Sequence, residues 1–113
     1  MVLWISGRSK SGKSTLAHKI SQGKWIVLDG DAMRKSISED LGFSKEDRWK
    51  HNLRVAKLAR ELDAQGFDVI VATICPYQEL RKKVQEITGC KFIFLDGGIK
   101  RDNQPYEEPK FQY

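Results

Sequence analysis

Eight residues near the amino terminus restrict the possible folds more than any other stretch of the chain. Gly7-Arg8-Ser9-Lys10-Ser11-Gly12-Lys13-Ser14 matches G-x-x-x-x-G-K-[ST]. The run follows the apolar segment Val2 to Ile5 and precedes the helical spacing of Leu16, Ala17 and Ile20, the strand-loop-helix setting that the pattern requires. A shuffled chain of this composition would contain such a match with a chance on the order of 1%. In a loop of this kind successive backbone N–H groups converge on one anion, and the helix beginning near Lys13 adds the positive end of its dipole. Phosphate is the expected ligand, with Lys13 reaching the β- and γ-phosphates as a point charge and the Ser14 hydroxyl available to magnesium. A plain Gly/Ser-rich strand-to-helix turn is the alternative for the same residues.

The rest of the chain alternates in the same manner. Val2 to Ile5, Trp25 to Leu28, Phe67 to Thr73 and Phe92 to Leu95 are short, β-branched or aromatic and unalternating, as expected of strands covered on both faces. Between them lie helical patterns: Leu16 to Ile20; Trp49, Leu53, Ala56, Ala59 and Leu62 closed by Gly66; and Leu80, Val84 and Ile87 closed by Gly89. A further short helix is expected between Ala32 and Asp40. Strands alternating with helices imply right-handed crossovers and a parallel sheet. The expected class is therefore α/β, a three-layer α/β/α P-loop NTPase fold with about four strands. One domain over 1–113 is expected, with a core over 1–95 and an irregular tail over 96–113 in which Tyr106, Phe111 and Tyr113 tack the chain down. Ligands of such sheets sit beyond the carboxyl ends of the strands, so the loops after Ile5, Leu28, Thr73 and Leu95 are where chemistry is to be sought.

Composition narrows the partners. A net charge of +5 favours anions such as nucleotides, nucleic acid or acidic lipid, yet no block of like charge reaches five residues, which argues against a nucleic-acid arm. No apolar run exceeds five residues, so no membrane span and no secretory signal is expected, and residence is expected to be cytoplasmic. Cys75 and Cys90 lack metal-site spacing and read as buried thiols.

Leu28-Asp29-Gly30-Asp31 puts two carboxylates at the end of the second strand, beside the phosphate loop. They suit a magnesium relay and a general base. Asp31 could equally be a helix N-cap, and Asp29 a structural residue. Arg48 and His51, three apart on one helix face, fit either an anion site or a solvated basic face.

Four separated runs, GRSKSGKST at 7–15, LDGDAMR at 28–34, DLGFSKEDR at 40–48 and CPYQELR at 75–81, resemble those of adenylylsulfate kinases in order and spacing. These are P-loop enzymes that phosphorylate the 3′-hydroxyl of adenosine 5′-phosphosulfate with ATP, in sulfate assimilation. The resemblance implies an ATP site on Gly7, Ser9, Lys10, Ser11, Gly12, Lys13, Ser14 and Thr15, and Mg²⁺ held by Ser14 and Asp29. It makes Lys13 and Asp31 the catalytic pair, with Asp31 accepting or orienting the acceptor hydroxyl proton. The small-molecule nucleotide acceptor would be held by Asp31, Arg34, Phe43, Arg48, His51, Pro76 and Tyr77, with Phe43 stacked on its base and the two arginines on its anionic 5′ group. A homodimer is left open.

The chain departs from that family's pattern at Lys10, where glycine is usual, and at Ala32 and His51, where asparagine is usual. Cys75 stands where serine is usual. After Leu95 the family continues through a long lid-bearing segment, whereas here 97–104 leads almost directly to Pro105-Tyr106-Glu107-Glu108-Pro109. Lids exclude water and complete sites. Two other functions therefore stand beside the first: transfer to another nucleotide-like or sugar hydroxyl, and ATP binding without turnover.

Overall fold

The four apolar runs form the strands β1 (Val2–Ser6), β2 (Ile26–Asp29), β3 (Val69–Thr73) and β4 (Lys91–Phe94) of one sheet ordered β2-β3-β1-β4, in which every pairing is parallel. This computed structural model describes residues 1–100 and 104–109; Phe111 and Tyr113 lie outside the described residues. The helices are α1 (Lys13–Ser21), α2 (Gly30–Arg34), α3 (Lys45–Ala64) and α4 (Gln78–Thr88).

Period two along each strand sorts the side chains into two cores. Val2, Trp4, Leu28, Val69 and Val71 pack with Val55, Ala56 and Ala59 of α3 and Leu80 and Val84 of α4. Ile5, Ile70 and Ala72 pack on the opposite face with Ala17, Leu16 and Ile20 of α1. The result is the three-layer α/β/α arrangement expected. The central strands β1 and β3 are buried almost throughout, which explains their lack of alternation. Each fully buried aliphatic side chain there contributes about 1.5 to 3 kcal/mol.

The helix ends follow local chemistry. Ser44 caps α3 by accepting the Asp47 N–H at 3.1 Å, and Glu46 and Asp47 place negative charge in its first turn. Gly89 ends α4 at φ 66. The helix expected between Ala32 and Asp40 instead begins at Gly30 and stops at Arg34. Ser36 Oγ bonds back to the Ala32 carbonyl at 2.9 Å, and residues 35–40 continue as turns.

The register brings the site together. Ser6 lies opposite Thr73, and Asp29 opposite Ala72, so the loops after β1, β2 and β3 open at one level of the sheet. Residues 96–100 and 104–109 have no helix or strand. Among the described residues, no helix is long and apolar enough to cross a membrane.

Candidate active site

At that end of the sheet lies a cavity of about 320 Å³ whose wall carries Lys10, Lys13, Arg34 and Arg48 against only two carboxylates, Asp29 and Asp31. Ser9, Lys10, Gly12, Lys13, Ser14 and Thr15 of the phosphate loop all line it. Gly7 and Ser11, also expected to hold phosphate, lie outside the lining. They shape the loop instead: a Cβ on Gly7 would sit 2.7 Å from Ser11 Oγ and 3.1 Å from the Leu95 carbonyl oxygen. Gly12, at φ 96, provides the left-handed residue that turns the loop into α1. Lys10 adopts φ 60, a conformation that costs a residue with a Cβ about 1–2 kcal/mol.

Lys13 Nζ donates to the carbonyls of Gly7 at 2.9 Å and Arg8 at 2.8 Å. Burial lowers the pKa of this ammonium, while the charges of Asp31 and Asp29 act in the opposite direction. The Ser11 hydroxyl is buried without a hydrogen-bond partner. Ser14 Oγ donates to Asp29 Oδ1 at 3.0 Å. Two hard oxygen donors therefore meet beside the loop, a set suited to magnesium, which uses one or two protein ligands and fills its shell with phosphate and water. No group of three or more His, Cys, Asp or Glu residues suited to a metal ion occurs among the described residues.

The far wall is built by α2 and α3. Asp29 occupies the N-cap position of α2 with no capping bond from its side chain, which leaves its carboxylate to Ser14. Asp31 lies in the first turn of α2 and lines the cavity, so it is not the N-cap. Gly30 lets α2 press on the sheet, because a Cβ there would lie 3.1 Å from the Ala72 carbonyl oxygen. Arg34 Nη1 donates to the Gly42 carbonyl at 2.9 Å and Arg48 Nε to the Phe43 carbonyl at 2.7 Å. Burial and the neighbouring Arg48 charge both lower the pKa of Arg34. Two guanidiniums that repel each other on one cavity wall favour an anion between them.

Two expected acceptor ligands, Phe43 and Tyr77, lie outside the cavity lining, and a third, His51, lines it from a buried, hydrogen-bonded position. Phe43 is 68% exposed and outside the cavity lining, with the guanidiniums of Arg34 and Arg48 at 4.6 and 5.6 Å from its ring centroid. Tyr77 is buried; it stacks on Trp49 at 6.3 Å, with Lys45 Nζ 5.1 Å from its ring, so only Pro76 of that pair reaches the cavity. His51 lines the cavity but is buried, and its Nδ1 lies 2.8 Å from Ser38 Oγ. Its pKa falls to about 4, first through burial and then through the Arg34 charge, against a bond to the Gly30 backbone. The ring is neutral near pH 7.

A buried hydrogen-bond chain supports this wall and escaped sequence reasoning. Trp4 Nε1 donates to Thr73 Oγ1 at 3.0 Å, Thr73 Oγ1 donates to Asn52 Oδ1 at 2.8 Å, and Asn52 Nδ2 donates to the Arg48 carbonyl at 2.9 Å. Asn52 and Thr73 both line the cavity. The available signal was one polar residue inside each of two apolar patterns. Cys75, at φ 41, also lines the cavity; burial pushes its thiol pKa far up and that of Cys90 to about 11, which keeps both protonated and inert.

A family model for adenylylsulphate kinase matches residues 1–107. The chain is similar to the adenylyl-sulfate kinase of Paraburkholderia xenovorans, 43% identical over 98 residues that cover 81% of this chain and 55% of that protein. It is similar to the adenylyl-sulfate kinase of Geotalea uraniireducens, 40% identical over an alignment 120 positions long that covers 100% of this chain and 58% of that one. The chain thus spans little more than half the length of these relatives. Among solved structures, Mycobacterium tuberculosis APS kinase matches with a TM-score of 0.80 at 33% identity, over 98% of this chain and 80% of that chain. A structure of the same enzyme in complex with AMPPNP and APS matches with a TM-score of 0.73 at 34% identity, over 82% and 59%.

Proposed function

The chain belongs to the adenylylsulphate kinase family, and on that premise we propose that it transfers the γ-phosphate of ATP to the 3′-hydroxyl of adenosine 5′-phosphosulfate. The observation that carries this reading is the single cavity in which Lys13, Ser14 and Asp29 meet Asp31, Arg34 and Arg48. Loop residues 9–15 hold the ATP phosphates through backbone N–H groups and the start of α1. Lys13 exchanges its bonds to the loop carbonyls for a phosphate oxygen. Asp31, on the cavity wall, takes or orients the proton of the attacking hydroxyl. Arg34 and Arg48 grip the acceptor's anionic 5′ group, which relieves their mutual repulsion. Mg²⁺ would be held by Ser14 and Asp29 and would supply neutralisation of phosphate charge during transfer. Little covalent chemistry is asked of the protein; positioning and charge account for the rate.

The test is a panel of acceptors incubated with ATP and Mg²⁺ and assayed for ADP. Turnover with adenosine 5′-phosphosulfate alone supports the proposal. Turnover only with another hydroxyl supports a second reading, favoured by His51: its hydrogen bonds run to Ser38 and the Gly30 backbone, at a position where the family pattern carries an asparagine for the acceptor. ATP binding with no ADP from any acceptor would refute both in favour of a binding module.

A further inference from the structure

Arg8 is the second residue of the phosphate loop and by its place a natural phosphate ligand, yet it is absent from the cavity lining, which passes through Ser9 and Lys10. Its guanidinium turns the other way. It is ion-paired with Glu108 and lies 4.7 Å from the ring centroid of Tyr106. The same ring has Arg81 at 4.9 Å. Arg81 is fully buried, and it donates from Nη2 to the Glu107 carbonyl at 2.6 Å and from Nε to the Cys75 carbonyl at 3.0 Å. Glu107 is held twice more: its N–H donates to the Pro76 carbonyl at 2.7 Å, and its Oε1 accepts the Gln78 N–H at 2.7 Å. A second contact lies earlier in the chain. The Ile99 N–H donates to the Ser9 carbonyl at 2.8 Å, and Gly98 sits so close that a Cβ would be 2.6 Å from that oxygen.

We propose that residues 98–99 and 105–108 act as a strap that holds the phosphate loop in its anion-receiving shape, with Arg8, Tyr106 and Glu108 as positioning residues for nucleotide binding. The reason lies in what Lys13 does. It ties down the Gly7 and Arg8 carbonyls. The strap holds the Arg8 side chain and the Ser9 carbonyl independently of those bonds, with or without nucleotide, and it alone remains once Lys13 turns to a phosphate. Because the strap also bonds the Pro76 carbonyl, it joins the ATP loop to the loop after β3. This inference rests on the nucleotide reading of the loop.

The full chain and its variants are titrated with a fluorescent ATP analogue and Mg²⁺, and KM for ATP is compared with kcat. Tyr106→Ala should raise the dissociation constant about 5- to 30-fold, the worth of two cation–π contacts, with kcat at saturating ATP little changed. Tyr106→Phe, which keeps the ring and loses only the hydroxyl bonded to Ser6, should recover most of the wild-type affinity. Glu108→Gln, an exposed change that leaves the fold intact, should cost about 2- to 5-fold at low salt and nothing at high salt. Wild-type affinity in both Tyr106→Ala and Glu108→Gln overturns the strap. Amide exchange at residues 9–12 without nucleotide separates this inference from the proposed function. Faster exchange in Tyr106→Ala supports the strap even if the wild-type chain binds no ATP, and unchanged exchange overturns it.

Discussion

Lys10 takes φ 60 at a loop position where the family pattern carries glycine, so it accepts backbone strain and adds a cation to the cavity. These two effects separate in one variant. Lys10→Gly relieves about 1–2 kcal/mol of strain but gains unfolded-chain entropy worth about 0.5–1 kcal/mol, a net stabilisation below about 1.5 kcal/mol. It also removes a charge near the phosphates. A urea midpoint at or above that of the wild type, together with ATP affinity about 2- to 5-fold weaker, is expected, and a lower midpoint would show that the Lys10 side chain supports the loop. Asp31 provides the complementary case, a carboxylate on the cavity wall in the first turn of α2. Asp31→Asn should leave ATP affinity within a few-fold and slow transfer about 100- to 10,000-fold, the span for losing a positioned base. An equal loss of ATP binding would assign it to holding the metal instead.

Between elements, the link that matters most is His51, on α3, which ties down the Ser38 turn and the start of α2 at Gly30. Its folded pKa of about 4 lies below the usual 6.5 because it is buried and faces Arg34 and Arg54. The sign follows directly. Above pH 6.5 the ring is neutral in both states and the contribution is complete. As pH falls from 6.5 to about 4 the unfolded chain binds the proton first, so stability declines, by up to about 3 kcal/mol. Denaturant midpoints of wild type and His51→Asn at pH 7.5 and 4.5 should therefore diverge, with the wild type losing more; parallel losses would show that His51 does not set the acid response. Elements of this kind were only partly legible in the sequence. The four strands, α1, α3 and α4 follow from periodicity because their apolar residues recur at fixed spacing. The start of α2 does not, since it depends on Gly30 fitting against Ala72, a contact between strands whose order no local pattern specifies. Tyr77, placed in the acceptor pocket by the family resemblance, stacks on Trp49 of α3 and is drawn into the core, outside the cavity lining.

At the scale of the whole molecule, the phosphate loop was legible because its chemistry lies in one continuous run, whereas the Trp4-Thr73-Asn52-Arg48 chain joins β1, β3 and α3 and becomes visible only when the sheet is assembled. The outward turn of Arg8 is of the same kind, set by Tyr106 and Glu108 about a hundred residues away. Sheet, loop and strap therefore stabilise the nucleotide site as one unit, and the nucleotide should stabilise them in return. Ligand present at 100 times its dissociation constant adds about 2.7 kcal/mol to the folded state. For 113 residues with an unfolding entropy of about 2.1 cal/mol/K each, that raises the melting temperature by about 11 °C. Thermal melts with saturating ATP and Mg²⁺ should show this shift, smaller but still present with ADP. Lys13→Ala should melt near the wild-type temperature without nucleotide, because among the described residues its ammonium bonds only two loop carbonyls, and should lose most of the shift with ATP. A full shift in Lys13→Ala would mean that ATP binds without its phosphates on this loop, and the assignment of the cavity would have to be abandoned.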